Sequence, residues 1–175
     1  MFPSLLCDEG EQRRWGRQSQ YSQQMQKKQS TKLISTFFYA GYFPFAPGTF
    51  ASLITLVIIW FLIPSFFYIL LPISLGLFFL SVWSATYGEE FFGKDGRPIV
   101  IDEVTGMVIS LIFIPAGIKF YLGAFFLFRF FDIIKPPPAR MMEKLKGGWG
   151  VTLDDVIAGI YANLSLHLIL YCFVT

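Results

Sequence analysis

Between Leu33 and Gly88 the chain carries no charged residue. Over the whole sequence only 15% of residues are charged, while 54% are hydrophobic and 21 are Phe. Soluble domains average about 25% charged residues, and one of this size cannot readily bury so long an uncharged run. The mean hydropathy of +0.56 agrees, and we read an integral membrane protein. Other shortages exclude other classes. With only two cysteines, Cys7 and Cys172, at opposite ends of the chain, there is no disulfide framework. The single histidine, His167, argues against phosphohistidine chemistry. No apolar core long enough for a cleavable signal peptide occurs in the first 30 residues. Net charge is only +2, and the N-terminal cations alternate with acids and Gln rather than aromatics. We therefore expect no nucleic-acid partner, and instead a juxtamembrane contact with anionic lipid.

The 175 residues suffice for one domain. Residues 1–30 are polar and Gln-rich and predict a flexible or weakly helical tail; residues 31–175 form the helical membrane domain. Apolar segments at about 33–45, 49–63, 66–87, 104–118, 120–134 and 155–174 predict an all-α polytopic protein with about four to five transmembrane helices. The first, broken by Gly41, Pro44 and Pro47, reads as interfacial or re-entrant. The short segments 104–118 and 120–134, joined by a tight hairpin at Pro115–Lys119, either cross or form a re-entrant pair. If the N-terminus is cytoplasmic, regions 1–32, 89–103 and 129–154 lie inside and hold 13 of the 14 Lys and Arg residues, leaving Lys119 outside. This obeys the positive-inside rule and puts every acid on the same face.

Three charged groups meet that face. "IDEVTG" brings Asp102 and Glu103 into a helix; "FRFFDIIKPPP" brings Arg129, Asp132 and Lys135 out of one; "GGWGVTLDDVIAG" brings Asp154 and Asp155 into the last. Singly, each has a structural explanation. Acids favour helix N-termini, Thr152 with Asp155 fits a capping box, Arg129 can snorkel, and Asp132 can pair at i±3. Jointly, five carboxylates and two fixed cations at three helix ends predict one site, because an acid at membrane depth costs about 2.5–3.5 kcal/mol. Gly106, Ala158 and Gly159 fall on the carboxylates' own helix faces, where a neighbouring helix can approach closely.

Such a site suits phosphoryl hydrolysis with Mg2+. Carboxylate oxygens hold the ion, while Arg129 and Lys135 neutralise phosphoryl charge and keep Asp132 ionised. "FAPGTFAS" adds an anion site, with Gly48 at a helix start and Thr49 and Ser52 as donors; the plain alternative is a helix N-cap at Thr49. Other phosphatase chemistries fit poorly. "CDEGEQR" has the Cys-x5-Arg spacing, but its acids repel phosphate and raise the thiol pKa. His167 lies twelve residues into the last helix, and no Asp-x-Asp motif is present. "DGR" at 95–97 resembles the start of the CDP-alcohol phosphotransferase motif, but the later aspartates of that motif are missing.

"GYFPFAPGTFAS" (41–52), "IVIDEVTG" (99–106) and "FRFFDIIKPPPARMMEKLKGGWGVTLDDVIAG" (128–159) together resemble the phosphatidylglycerophosphatase A family, over roughly 33–173. A proline between the two family prolines, giving "KPPP", is the one mild departure. The resemblance implies an all-helical, Mg2+-dependent enzyme of the bacterial inner membrane that hydrolyses phosphatidylglycerophosphate to phosphatidylglycerol and phosphate. It implies functional roles for Asp102, Glu103, Asp132, Asp154, Asp155, Arg129, Lys135 and the Pro47–Thr49 loop, without saying which acid binds metal and which acts on water. We expect Asp102, Glu103, Asp132, Asp154 and Asp155 at the metal; Asp132, Asp155, Arg129 and Lys135 in catalysis; and Gly48, Thr49, Ser52, Arg129 and Lys135 at the phosphate. The alternative is a small transporter or ion-binding protein with inward-facing acids. Transport sites sit near the midplane, however, whereas these charges gather at one face.

Overall fold

The computed structural model describes residues 9–62, 67–93 and 96–174. Their regular structure is all helical, with no strand among them. The helices are α1 (Glu9–Ser35), α2 (Pro47–Leu62), α3 (Leu70–Phe92), α4 (Ile101–Ser110), α5 (Ile118–Ile134), α6 (Ala139–Met142) and α7 (Gly148–Val174). The all-α expectation holds. The stretch expected to be a tail is helical from Glu9 on, and the same helix runs past residue 31 to Ser35. Cys7 and its neighbours in "CDEGEQR" up to Asp8 lie outside the described residues.

Two helices, α3 and α7, are long and apolar enough to cross a membrane. Only 33% and 28% of their most apolar stretches are buried inside the protein. Leu71, Leu75 and Phe79 on α3 and Leu164, Leu168 and Tyr171 on α7 face outward and exposed, giving both helices an apolar exterior. Helix α2 is apolar but shorter. Helix α4 has ten residues, about 15 Å at 1.5 Å per residue, half the hydrocarbon thickness.

That short helix stops because Leu111, Ile112 and Phe113 form turns, with Phe113 in the left-handed region at φ 59°. Its free carbonyls are met from α7: Asn163 Nδ2 donates to Ser110 O (3.1 Å) and Ile112 O (2.8 Å). His167 Nε2 lies 3.4 Å from Ile112 O. Irregular backbone is tolerated at depth only where protein groups satisfy it, and α7 supplies them. His167 is thus engaged at this turn.

Helix α7 lies against both α3 and α4, and small residues permit the fit. A side chain on Gly159 would collide with Gly106 O, and one on Gly106 would come within 2.7 Å of Asp155 O and 2.5 Å of the Phe128 ring. The expected close approach at Gly106 and Gly159 is therefore real. Gly148 packs against Val82 O, and its N–H donates to Thr86 Oγ1 at 3.0 Å. The core between these helices holds Met107, Leu111, Tyr121, Phe128 and Ala158, all nearly fully buried.

Candidate metal and phosphate site

Helix α4 opens with Asp102 and Glu103 in its first turn. Because α4 and α7 touch backbone to backbone at Gly106 and Gly159, Asp155 on α7 comes to the same place. One carboxylate oxygen each from Asp102, Glu103 and Asp155 lies within 4.8 Å of the others. Asp102 and Asp155 are 5% and 4% exposed. Asp102 Oδ1 and Glu103 Oε2 are buried with no hydrogen-bond partner. Buried carboxylate oxygens left without donors are costly, and three acids this close repel one another. A hard divalent cation is the ligand that would answer both costs, and the all-oxygen donor set fits one.

The start of α2 forms the next wall. Gly48 has no room for a side chain, because Glu103 Oε1 occupies that position. The first turn of α2 is therefore in contact with the acid cluster. Helix α2 begins at Pro47, which puts Thr49 inside the first turn and overturns the reading of Thr49 as N-cap. Ser52 is fully buried and its hydroxyl donates to Gly48 O at 2.9 Å, so its proton is already used within the helix.

The charged residues of the third motif divide into two pairs. On α5, Arg129 Nη1 stands 2.8 Å from Asp132 Oδ2, with both side chains mostly buried. Arg129 Nε and Nη1 nevertheless have no well-directed hydrogen bond, so the guanidinium retains donors for another acceptor. Lys135 is the C-cap of α5, in the left-handed region at φ 48°, where the chain turns into Pro136. Its Nζ donates to Asp154 Oδ2 and to Glu143 Oε1, each at 2.6 Å. Burial works against the Lys135 charge, but its hydrogen bonds to the two carboxylates outweigh it and hold the ammonium well above its usual pKa.

Asp154 has both oxygens engaged. Oδ2 accepts from Lys135, and Oδ1 accepts the Asp155 N–H at 3.1 Å. It stands outside the three-acid group, and so does Asp132. Glu143, on the segment following α6, is a participant that sequence reasoning missed; it lies eight residues from Lys135 across three prolines, with no periodicity linking them. The capping-box reading of Thr152 and Asp155 fails, because α7 begins four residues before Thr152. Thr152 is fully buried and its hydroxyl pairs with Ser81 Oγ at 2.8 Å.

The sequence pattern of the phosphatidylglycerophosphatase A family matches residues 33–170, which takes in every residue of this cluster. The chain belongs to the phosphatidylglycerophosphatase A family. Phosphatase chemistry comes with that membership. A family protein of Haemophilus influenzae, named phosphatidylglycerophosphatase A, is 37% identical over 79% of this chain and 88% of its own. One of Escherichia coli with the same name is 31% identical over 78% and 81%. A Bacteroides thetaiotaomicron protein carrying the provisional name phosphatidylinositol-3-phosphatase is 41% identical over 77% and 89%. No solved structure matches the chain significantly. The family match starts near the end of α1, so most of that helix lies outside it.

Proposed function

We propose that the chain is a Mg2+-dependent lipid phosphatase that hydrolyses phosphatidylglycerophosphate to phosphatidylglycerol and phosphate, at the cytoplasmic face of a bacterial inner membrane. The observation that carries this reading is the buried group Asp102, Glu103 and Asp155, with two oxygens unpartnered, in a chain of this family.

Asp102, Glu103 and Asp155 are the residues that would hold the cation. When bound, it supplies a Lewis acid and lowers the pKa of a coordinated water. Arg129, with donors to spare, takes the phosphoryl oxygens, and its flat guanidinium suits two of them at once. Asp132 fixes the guanidinium and, by its charge, keeps it in place. Lys135, with two of its three N–H donors on Asp154 and Glu143, has the third for the headgroup that arrives at the end of α5. The first turn of α2, at Gly48 and Thr49, closes the phosphate side. In the reaction water gives its oxygen to phosphorus and a proton to the departing glycerol oxygen, and the P–O bond between them breaks. Asp155 and Asp132 are our candidates for handling that proton.

The distribution of Lys and Arg supports a cytoplasmic site and N-terminus. The apolar exteriors of α2 and α5 support further crossings beside α3 and α7, with α4 as a half-length companion to α5. A second reading, a phosphorylated inositol headgroup, is favoured by the 41% identity to the Bacteroides protein. One assay separates them: phosphate release from each lipid by the purified chain, with Mg2+ and with chelator. Release from phosphatidylglycerophosphate that needs the metal is expected. No release with metal present sinks the assignment, and faster release from the inositol lipid replaces it with the second reading.

A further inference from the structure

Eight residues between α1 and α2 carry five large aromatic side chains that are all substantially exposed: Phe38 (74%), Tyr39 (54%), Tyr42 (50%), Phe43 (40%) and Phe45 (85%). This is not a floppy connection. Phe37, Phe38 and Tyr39 all have positive φ, at 44°, 53° and 68°, a conformation that bulky residues adopt only when their surroundings impose it. The surroundings here are specific. Phe38 N–H donates to Leu33 O at 2.9 Å, Gly41 N–H to Thr36 O at 2.9 Å, and Tyr39 N–H to Thr36 Oγ1 at 3.2 Å. Gly41 lies so close to Pro98 O that no side chain would fit. The protein thus holds aromatic rings outward on a constrained frame, which core packing would not require.

The loop's position indicates what covers it. Before it stands α1, polar and exposed, with Lys27, Lys28 and Lys32 in its last turns. After it, α2 shows an exposed apolar stripe at Leu53, Val57 and Phe61. Between a charged helix and an apolar stripe, Tyr39 and Tyr42 have the amphipathic rings that the membrane–water boundary favours, and Phe38, Phe43 and Phe45 add apolar area beside them. The loop is also tied to the candidate site. Phe43 stacks on Phe50 with ring centroids 4.4 Å apart, and Phe50 sits two residues from Gly48, the residue that Glu103 touches.

We infer that the 38–45 loop is a lipid-holding rim: its rings take the glycerol backbone and upper acyl carbons of a phospholipid while the carboxylate site works on that lipid's phosphate. The second half of this statement rests on the proposed function; the first does not. Two measurements test it in the full chain. In a Cys7→Ser/Cys172→Ser background, Phe45→Cys is labelled with an environment-sensitive fluorophore and reconstituted into phosphatidylcholine–phosphatidylglycerol vesicles. We expect quenching by lipids spin-labelled high on the acyl chain and little by aqueous iodide. Quenching by iodide alone, or shielding that follows protein concentration rather than lipid, overturns the rim. In the second measurement, Phe38→Ser/Phe45→Ser raises KM for long-chain substrate in vesicles about tenfold, while kcat/KM for a water-soluble phosphate monoester that lacks the diacylglycerol part stays within about twofold. Equal losses on both substrates overturn the inference. If the unaltered chain releases no phosphate at all, the functional reading falls, and the quenching measurement still decides the loop.

Discussion

Glu103 and Gly48 are locked together: the carboxylate of one fills the space where the other would carry a side chain. The acid cluster on α4 and the first turn of α2 are therefore one assembly. Gly48→Ala should displace Glu103 and cost on the order of a hundredfold in kcat/KM, as small misplacements do in sites built on geometry. Phosphate release measured beside a melting curve checks this; activity near that of the unaltered chain would dissociate α2 from the site.

The three-acid group makes a prediction about metal. Asp102→Asn, Glu103→Gln and Asp155→Asn should each raise the Mg2+ concentration needed for half-maximal activity by more than about tenfold. Asp154→Asn should shift it far less, because Asp154 is committed to Lys135 and to the Asp155 amide. Mg2+ titrations of the four variants rank them, and an Asp154 effect as large as the others would place that residue among the ligands.

Lys135 makes a prediction about pH. Its pKa is raised in the fold because the Asp154 and Glu143 carboxylates outweigh the cost of burial. A raised cation pKa contributes stability that is fully present below the unfolded value, about 10.4 for lysine, and fades as pH climbs through the folded value. The melting temperature should therefore show no loss due to Lys135 up to about pH 10. In Glu143→Gln the folded pKa falls, so the Lys135 contribution shrinks and fades at lower pH. Melting curves from pH 7 to 11 compare the two chains; identical profiles would show that Glu143 does not hold the lysine.

Asn163 satisfies two carbonyls at the end of α4. Asn163→Leu removes the donor from Ser110 O and leaves Ile112 O with only the long His167 contact, at about 1–3 kcal/mol in lost stability. Thermal unfolding in detergent should show it, and rescue by Asn163→Gln is not expected, since the longer side chain cannot keep both bonds. Unchanged stability would mean that water or lipid headgroups reach those carbonyls.

Residue chemistry and helical spacing made much of this legible in advance. The uncharged run announced the apolar helices, and Gly106, Ala158 and Gly159 announced where helices meet, because both depend on local pattern. The grouping of Asp102, Glu103 and Asp155 was legible as a set of five acids, but not as a division into three that converge and two that pair with cations. That division depends on which way each helix faces, and Asp154 and Asp155, adjacent in sequence, point to different partners. Glu143 was invisible because only the turn through Pro136–Pro138 brings it to Lys135. The length of α4 was overestimated because the apolar run continues through Leu111–Ile114, while the helix ends where Asn163 can receive its carbonyls. The starts of α2 and α7 lie earlier than Thr49 and Thr152 suggest: Gly48 is pressed against the Glu103 side chain and Gly148 against Val82 O, long-range contacts that a local capping pattern does not reveal.

The contact between Gly106 and Gly159 has a last consequence. No side chain separates α4 from α7 at that point, so the span between Asp102 and Asp155 is gauged by main chain against main chain. Soft core side chains elsewhere can repack with temperature, lipid thickness or mutation without altering it. The jaw that would grip an ion is set by the least adjustable parts of the protein, and its opening should stay constant while the bilayer around it varies.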